Sequence, residues 1–208
     1  MRIAILLSGR INGYEKSYKN IIDNIVQGNQ VDFFISYCKD ISEESFENFK
    51  KIFNPVSYVK SDEVYFDMTP YPHPTHLGVK SRHNMMCMYL NRRNVYKIYN
   101  EYKIKNNIHY DLVFSYRVDF IFHSKLDLSL LLNAKESICI PEGCDYNGIN
   151  DRMAVGNEET MKEYLLCYDS LQLLFDQGGT PHPETILKEY IEYKKLKIYR
   201  FHIGYSFV

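Results

Sequence analysis

The sequence predicts an α/β protein with a Rossmann-like mixed, mostly parallel sheet flanked by helices. Three observations carry this. The first 60 residues alternate strand and helix signals in a β-α-β-α-β order. The first strand segment is a continuous apolar run, as expected of a strand covered on both faces. Further short strands and amphipathic helices follow to the end of the chain, with no repeat, linker or low-complexity segment between them. Such alternation argues for helices packed on a parallel sheet and for ligands at the carboxyl ends of its strands.

Taken in order, residues 2–7 form the first strand, stopped by Ser8-Gly9-Arg10. Tyr14, Tyr18, Ile21, Ile22 and Ile25 recur at helical spacing, so 14–26 reads as a helix. Residues 31–36 (VDFFIS) give a second strand, 43–53 a helix with Phe46, Phe49 and Phe53 on one face, and 56–59 a third strand. Three prolines within 68–78 exclude regular structure there and predict a loop over the sheet edge. Residues 81–102 read as a long helix capped by Ser81, with Met85, Met88, Tyr89, Val95, Tyr96 and Tyr99 buried. Residues 111–122 (DLVFSYRVDFIF) give two apolar strands broken by Tyr116-Arg117-Val118-Asp119. Strands at 137–140 and 152–155 bracket a loop rich in Gly and Asp, helices are expected at 158–175 and 183–193, and 197–202 is the closing strand.

Composition bounds the function. The 208 residues suit one domain. Lys and Arg number 25 against 26 Asp and Glu, so the chain lacks the charge footprint of a general nucleic-acid binder. No apolar run approaches the roughly 20 residues of a membrane-spanning helix, and the first is too short for a signal-peptide core. The five cysteines form no CxxC pair, which suggests reduced thiols in a cytoplasmic protein and argues against structural zinc. GxGxxG, P-loop, HxxxH and GxSxG patterns are all absent.

The polar break in residues 111–122 is the most informative feature. If extended, Arg117 and Asp119 share one face. Burying both costs several kcal/mol by rough reckoning unless they pair with each other or meet a ligand. A divalent cation with phosphates and an internal ion pair are both open readings. In the loop at 141–151, Asp151 directly precedes an apolar strand, so it can bind sugar hydroxyls, act as a base, or belong to a solvated turn. Glu184 sits in the first turn of a helix, either favouring the helix dipole or serving as a general base. His182 reads as the cap of that helix ahead of a metal ligand, and His202 as a ligand or a packed residue of the last strand. Ser8, Gly9 and Arg10 follow the first strand, where a glycine lets the backbone approach a nucleotide.

The segment Tyr110 to Asp119, followed by Gly148-Ile149-Asn150-Asp151-Arg152-Met153-Ala154-Val155-Gly156 and Pro183-Glu184, resembles the nucleotide-sugar glycosyltransferases of type-A fold. The likeness is strongest to small domains encoded by large algal viruses such as chlorella viruses, and it spans nearly the whole chain. It implies a metal-dependent, inverting transfer of a sugar from a UDP-sugar donor to a hydroxyl of a glycan or glycoprotein acceptor. In that fold an Asp-x-Asp element holds a metal bridging the donor diphosphate. Here Arg117 stands at the first Asp position, leaving Asp119 as the motif's carboxylate. The resemblance further implies Mn2+ (or Mg2+) held by Asp119 and His202, and Ser8, Gly9, Arg10 and Arg117 around uridine and phosphates. Glu184, or failing that Asp151, would be the base. It implies a minimal catalytic domain, cut from a longer chain or not, with a nucleotide-binding half at about 1–122 and an acceptor-side half at about 123–208, and the absence of a membrane anchor suggests work in the cytoplasm, that of the host if viral. The alternatives are a sugar nucleotidyltransferase, and a non-catalytic carbohydrate-binding module using some of the 19 tyrosines as platforms.

Overall fold

β1 (Arg2–Gly9) runs through the interior of a seven-stranded sheet in a computed structural model that describes residues 1–11, 13–38, 41–61, 64–71 and 79–208. The remaining strands of this sheet are β2 (Gln30–Tyr37), β3 (Ser57–Lys60), β4 (Leu112–Tyr116), β6 (Ser137–Pro141), β7 (Met153–Gly156) and β8 (Lys197–Phe201). Their order is β3-β2-β1-β4-β7-β6-β8. Pairings are parallel from β3 through to β4 and again between β6 and β8, while β7 runs antiparallel to both its neighbours. The protein is therefore α/β with a mostly parallel mixed sheet, as the alternation predicts. Strands of both halves of the sequence belong to this one sheet. A second sheet pairs β5 (Phe120–Phe122) with β9 (Tyr205–Phe207) antiparallel.

Side chains alternate along β1, so Ile3, Ile5 and Leu7 enter one core and Ala4 and Leu6 the other. The first core is closed by α1 (Tyr14–Ile21), α2 (Glu43–Phe53) and the short α4 (Leu128–Asn133). α1 runs on through one π-helical turn at Ile22–Val26. Phe46, Phe49 and Phe53 of α2 form the expected apolar face, with Phe49 stacked on Phe53 at 4.4 Å. The second core is closed by α3 (Val79–Asn106), α5 (Glu158–Leu165), α6 (Tyr168–Asp176) and α7 (Pro183–Tyr193).

Four expectations change. Ser81 lies inside α3 and caps nothing, because the helix begins two residues earlier. The helix expected at 158–175 is two helices that separate at Leu166 and Cys167, where Cys167 is fully buried. The polar break does more than interrupt a strand pair, since it carries the chain out of the main sheet into the small one. β9 and α4 were not anticipated; three- and six-residue elements carry too little periodicity to stand out. Of the loop expected at 68–78, residues 72–78 lie outside the described residues. Among the described residues no helix is long and apolar enough to cross a membrane. All five cysteines are free thiols.

Glu158 ties the far end of the fold together, at the amino end of β4. It accepts from Lys103 Nζ (2.9 Å), Tyr99 OH (3.2 Å) and the backbone N–H of Tyr110 (3.0 Å). Truncating it strands a buried hydroxyl and a backbone donor. Glu158→Ala should therefore cost about 2–3 kcal/mol, read as a lower urea midpoint at unchanged m-value.

Candidate functional site

The chain leaves β1 for β2 and β3 on one side, then returns through α3 to β4 on the other. A crevice is expected outside the strand ends where the order reverses in this way. Leu7 pairs with Tyr116 at that end, so Ser8, Gly9 and Arg10 follow on one side and Arg117, Val118 and Asp119 on the other. Gly9 has φ 100°, a conformation that a side chain would strain. The structure thus places the predicted phosphate-side residues at the switch point of the sheet.

Arg117 and Asp119 meet each other. The guanidinium donates from Nε to Oδ1 (3.0 Å) and from Nη2 to Oδ2 (2.6 Å), a fork-to-fork pair. The pair sits in a turn closed by Phe120 N–H to Arg117 O (3.1 Å), and both side chains stay about one-third exposed. Ser17 Oγ donates to Val118 O, and Val208 N–H to Asp119 O (2.9 Å), so α1 and the segment after β9 fix the turn.

Because β7 is reversed, the residues that precede it lie at the same edge. Asp151 and Arg152 therefore stand beside Arg117, whose N–H donates to Arg152 O (3.2 Å). Asp151 is 3% exposed and is held by Arg92 of α3, itself 3% exposed. Nη2 of Arg92 donates to the backbone O of Asp151 and lies 3.5 Å from Oδ2. The guanidinium packs on Tyr89 (5.1 Å to the ring centre) and Tyr164 (5.7 Å).

Glu184, buried in the first turn of α7, completes a charged group with these residues. Its Oε1 lies 3.5 Å from Arg152 Nη1 and its Oε2 3.6 Å from His182 Nε2. Burial and, next, the Asp151 charge push the Glu184 carboxyl above the usual range, against the pull of Arg152 and Arg92. His182 occupies the cap position as expected, but no cap bond comes from its side chain; Nδ1 lies 3.0 Å from Thr185 Oγ1.

The loop at 142–151 is tightly bonded rather than a solvated turn. Fully buried Asn150 donates to Gly143 O (2.9 Å) and accepts from Arg152 N–H (3.0 Å), while Asp145 accepts from Arg200 Nη2 (2.9 Å). Gly148 lies against the start of α7, where a Cβ would stand 1.9 Å from Glu184 O, and Ile149 N–H bonds that same oxygen (2.9 Å). The predicted base is thus locked to the loop that carries Asp151.

His202 lies apart, exposed, with Nδ1 3.1 Å from Glu142 Oε2. Among the described residues no three His, Cys, Asp or Glu side chains gather as a metal-holding group. Asp119 brings one carboxylate, and Arg117 holds both of its oxygens. That donor set does not fit a divalent cation, which needs oxygens free to coordinate it.

Arg92 and Arg152 are absent from the predicted site residues. Arg152 is inconspicuous in sequence, next to the more eye-catching Asp151. Arg92 carries a signal: it falls three residues after Tyr89 and three before Val95, on the apolar stripe of α3 and not on its polar side.

A family model matches residues 1–203. The chain belongs to the family described as Domain of unknown function (DUF7796). The match covers the whole seven-stranded sheet and all the predicted site residues, from Ser8 to His202. No curated protein matches the chain. The family description assigns no chemistry.

Two outcomes test the construction of this site. Gly148→Ala should cost about 3 kcal/mol or more, since backbone and not a mobile side chain opposes the new Cβ; the urea midpoint reads it. Arg92→Met leaves Asp151 buried without its cation and should cost about 3–5 kcal/mol. The double variant Arg92→Met/Asp151→Asn should regain a measurable part of that loss in the same titration.

Proposed function

We propose that this domain is a glycosyltransferase of type-A fold that moves a sugar from a UDP-sugar to a glycan hydroxyl with inversion. One observation carries the reading. The Ser8–Arg10 loop and the Arg117–Asp119 turn flank the switch point of the sheet, and the buried carboxylates Asp151 and Glu184 reach the same edge beside them. Arginine N–H donors at a switch point suit a nucleoside diphosphate, and a carboxylate pair next to them suits the proton transfer that sugar transfer requires.

In this mechanism the acceptor oxygen attacks the anomeric carbon as the bond from that carbon to the diphosphate oxygen breaks. Glu184 takes the acceptor proton. Its raised pKa makes it a better base than an ordinary carboxylate. Arg117 meets the negative charge that grows on the departing diphosphate, a task worth a few kcal/mol. Asp151, immobilised by Arg92, supplies the neighbouring negative charge that strengthens Glu184 as a base. Arg117 occupies both oxygens of Asp119, the carboxylate that would otherwise hold a metal, so the diphosphate charge falls to the arginine.

The deciding measurement is UDP release from a panel of UDP-sugars with glycan acceptors. Turnover of a donor is expected, and failure to release UDP from any of them sinks the reading. Glu184→Gln should lower kcat by roughly 10^2–10^4 while UDP affinity stays unchanged. The acid limb of the pH–rate profile should lie above the ordinary glutamate range and move down in Asp151→Asn, which removes a neighbouring negative charge. Stability should run the other way. Above the Glu184 pKa the wild type carries a buried charge that glutamine lacks, so Glu184→Gln should melt higher at neutral pH. Below the ordinary glutamate value both side chains are neutral, and the gain should vanish.

A further inference from the structure

Two guanidiniums at the switch point lie against one aromatic ring. Cζ of Arg117 is 5.8 Å and Cζ of Arg152 5.1 Å from the centre of the Phe207 ring. They arrive from opposite directions, Arg117 after β4 and Arg152 before the reversed β7, joined by the backbone bond between them. Phe207 is brought there by the pairing of β9 with β5. Three separate segments thus converge on one arrangement.

We propose that Arg117 and Arg152 form a metal-independent clamp for a diphosphate, in which Asp119 is a positioning residue for Arg117 and not a cation ligand. The proposal deepens the transferase reading and rests on its placement of the nucleotide at this edge.

A guanidinium has five N–H donors in a fixed plane. Asp119 engages the Nε–Nη2 edge of Arg117, which sets the plane of the group and leaves Nη1 and the second N–H of Nη2 for phosphate oxygens. Arg152 is anchored through Nη1 to Cys144 O (3.2 Å) and beside Glu184, with its Cζ over the Tyr146 ring (5.3 Å to the centre) and the Phe207 ring (5.1 Å). Both groups are thereby held in one orientation before a ligand arrives. Two planar forks match the paired oxygens on the two phosphorus atoms of a diphosphate, as lysines would not. A divalent cation at the same place would have to take Asp119 from Arg117 and sit next to two positive charges.

The test is calorimetric titration of the full chain with UDP and with inorganic pyrophosphate, each in excess EDTA and in Mn2+. Both ligands should bind in EDTA, with affinities within about threefold of those in Mn2+. Arg117→Ala and Arg152→Ala should each weaken both ligands about 10-fold or more, the effect of losing charged hydrogen bonds. Arg117→Lys, which keeps the charge and loses the fork, should lose affinity without losing fold, checked by its melting temperature. Asp119→Asn should weaken binding equally in EDTA and in Mn2+, an outcome that a cation ligand does not give. UDP binding that appears only with Mn2+ and disappears in Asp119→Asn overturns the clamp and leaves the transferase reading standing. Pyrophosphate binding in EDTA without UDP binding keeps the clamp and removes the uridine nucleotide. Binding indifferent to both alanine variants, or no binding of either ligand, overturns the clamp.

Discussion

One reversed strand organises the molecule's chemistry. In an all-parallel sheet the functional edge receives only residues that follow strands. β7 runs against β4 and β6, so the residues that precede it arrive at that edge instead. Asp151 and Arg152 are delivered in this way next to Arg117, which follows β4. Without that antiparallel pairing, the carboxylate loop and the Arg117 turn would lie at opposite ends of the sheet.

The charges that gather there are arranged to tolerate burial. Arg92 meets Asp151 deep in the second core, Arg152 meets Glu184, and Arg117 meets Asp119 nearer to solvent. Each cation has a carboxylate, yet the pairs differ in geometry. The Arg117–Asp119 fork is short and bidentate, while the contacts of Glu184 are long. Long contacts leave Glu184 incompletely compensated, and burial then raises its pKa. A carboxylate kept in that state costs stability when it is ionised, a cost that the proposed role of Glu184 as base would offset in function.

Much of this was legible in the chain, and the failures have identifiable causes. α2 and α7 fall on their expected residues because each has a strong apolar face and a clear start, Ser42 capping one and Pro183 opening the other. The break between α5 and α6 has no Gly or Pro to announce it; burial of Cys167 against the second core decides it. Arg92 was hidden by its type, since an arginine in a helix is ordinarily read as solvent-facing even when its spacing places it on the buried stripe. Arg117 and Asp119 were visible as a pair, but spacing alone left a cation site and an ion pair equally open.

The sequence by itself determined the α/β class, the strand-ending loops and the chemical types available at Ser8–Arg10, Arg117, Asp119, Asp151 and Glu184, because periodicity and turn residues are local properties. Tertiary structure decided which of them meet. Strand order and the direction of β7 depend on contacts between residues far apart in the chain, and they bring Arg92 to Asp151, Gly148 to Glu184 and Phe207 against two arginines. His202 and Asp119 take different partners for the same reason: each is held by the carboxylate or guanidinium that the fold places nearest to it.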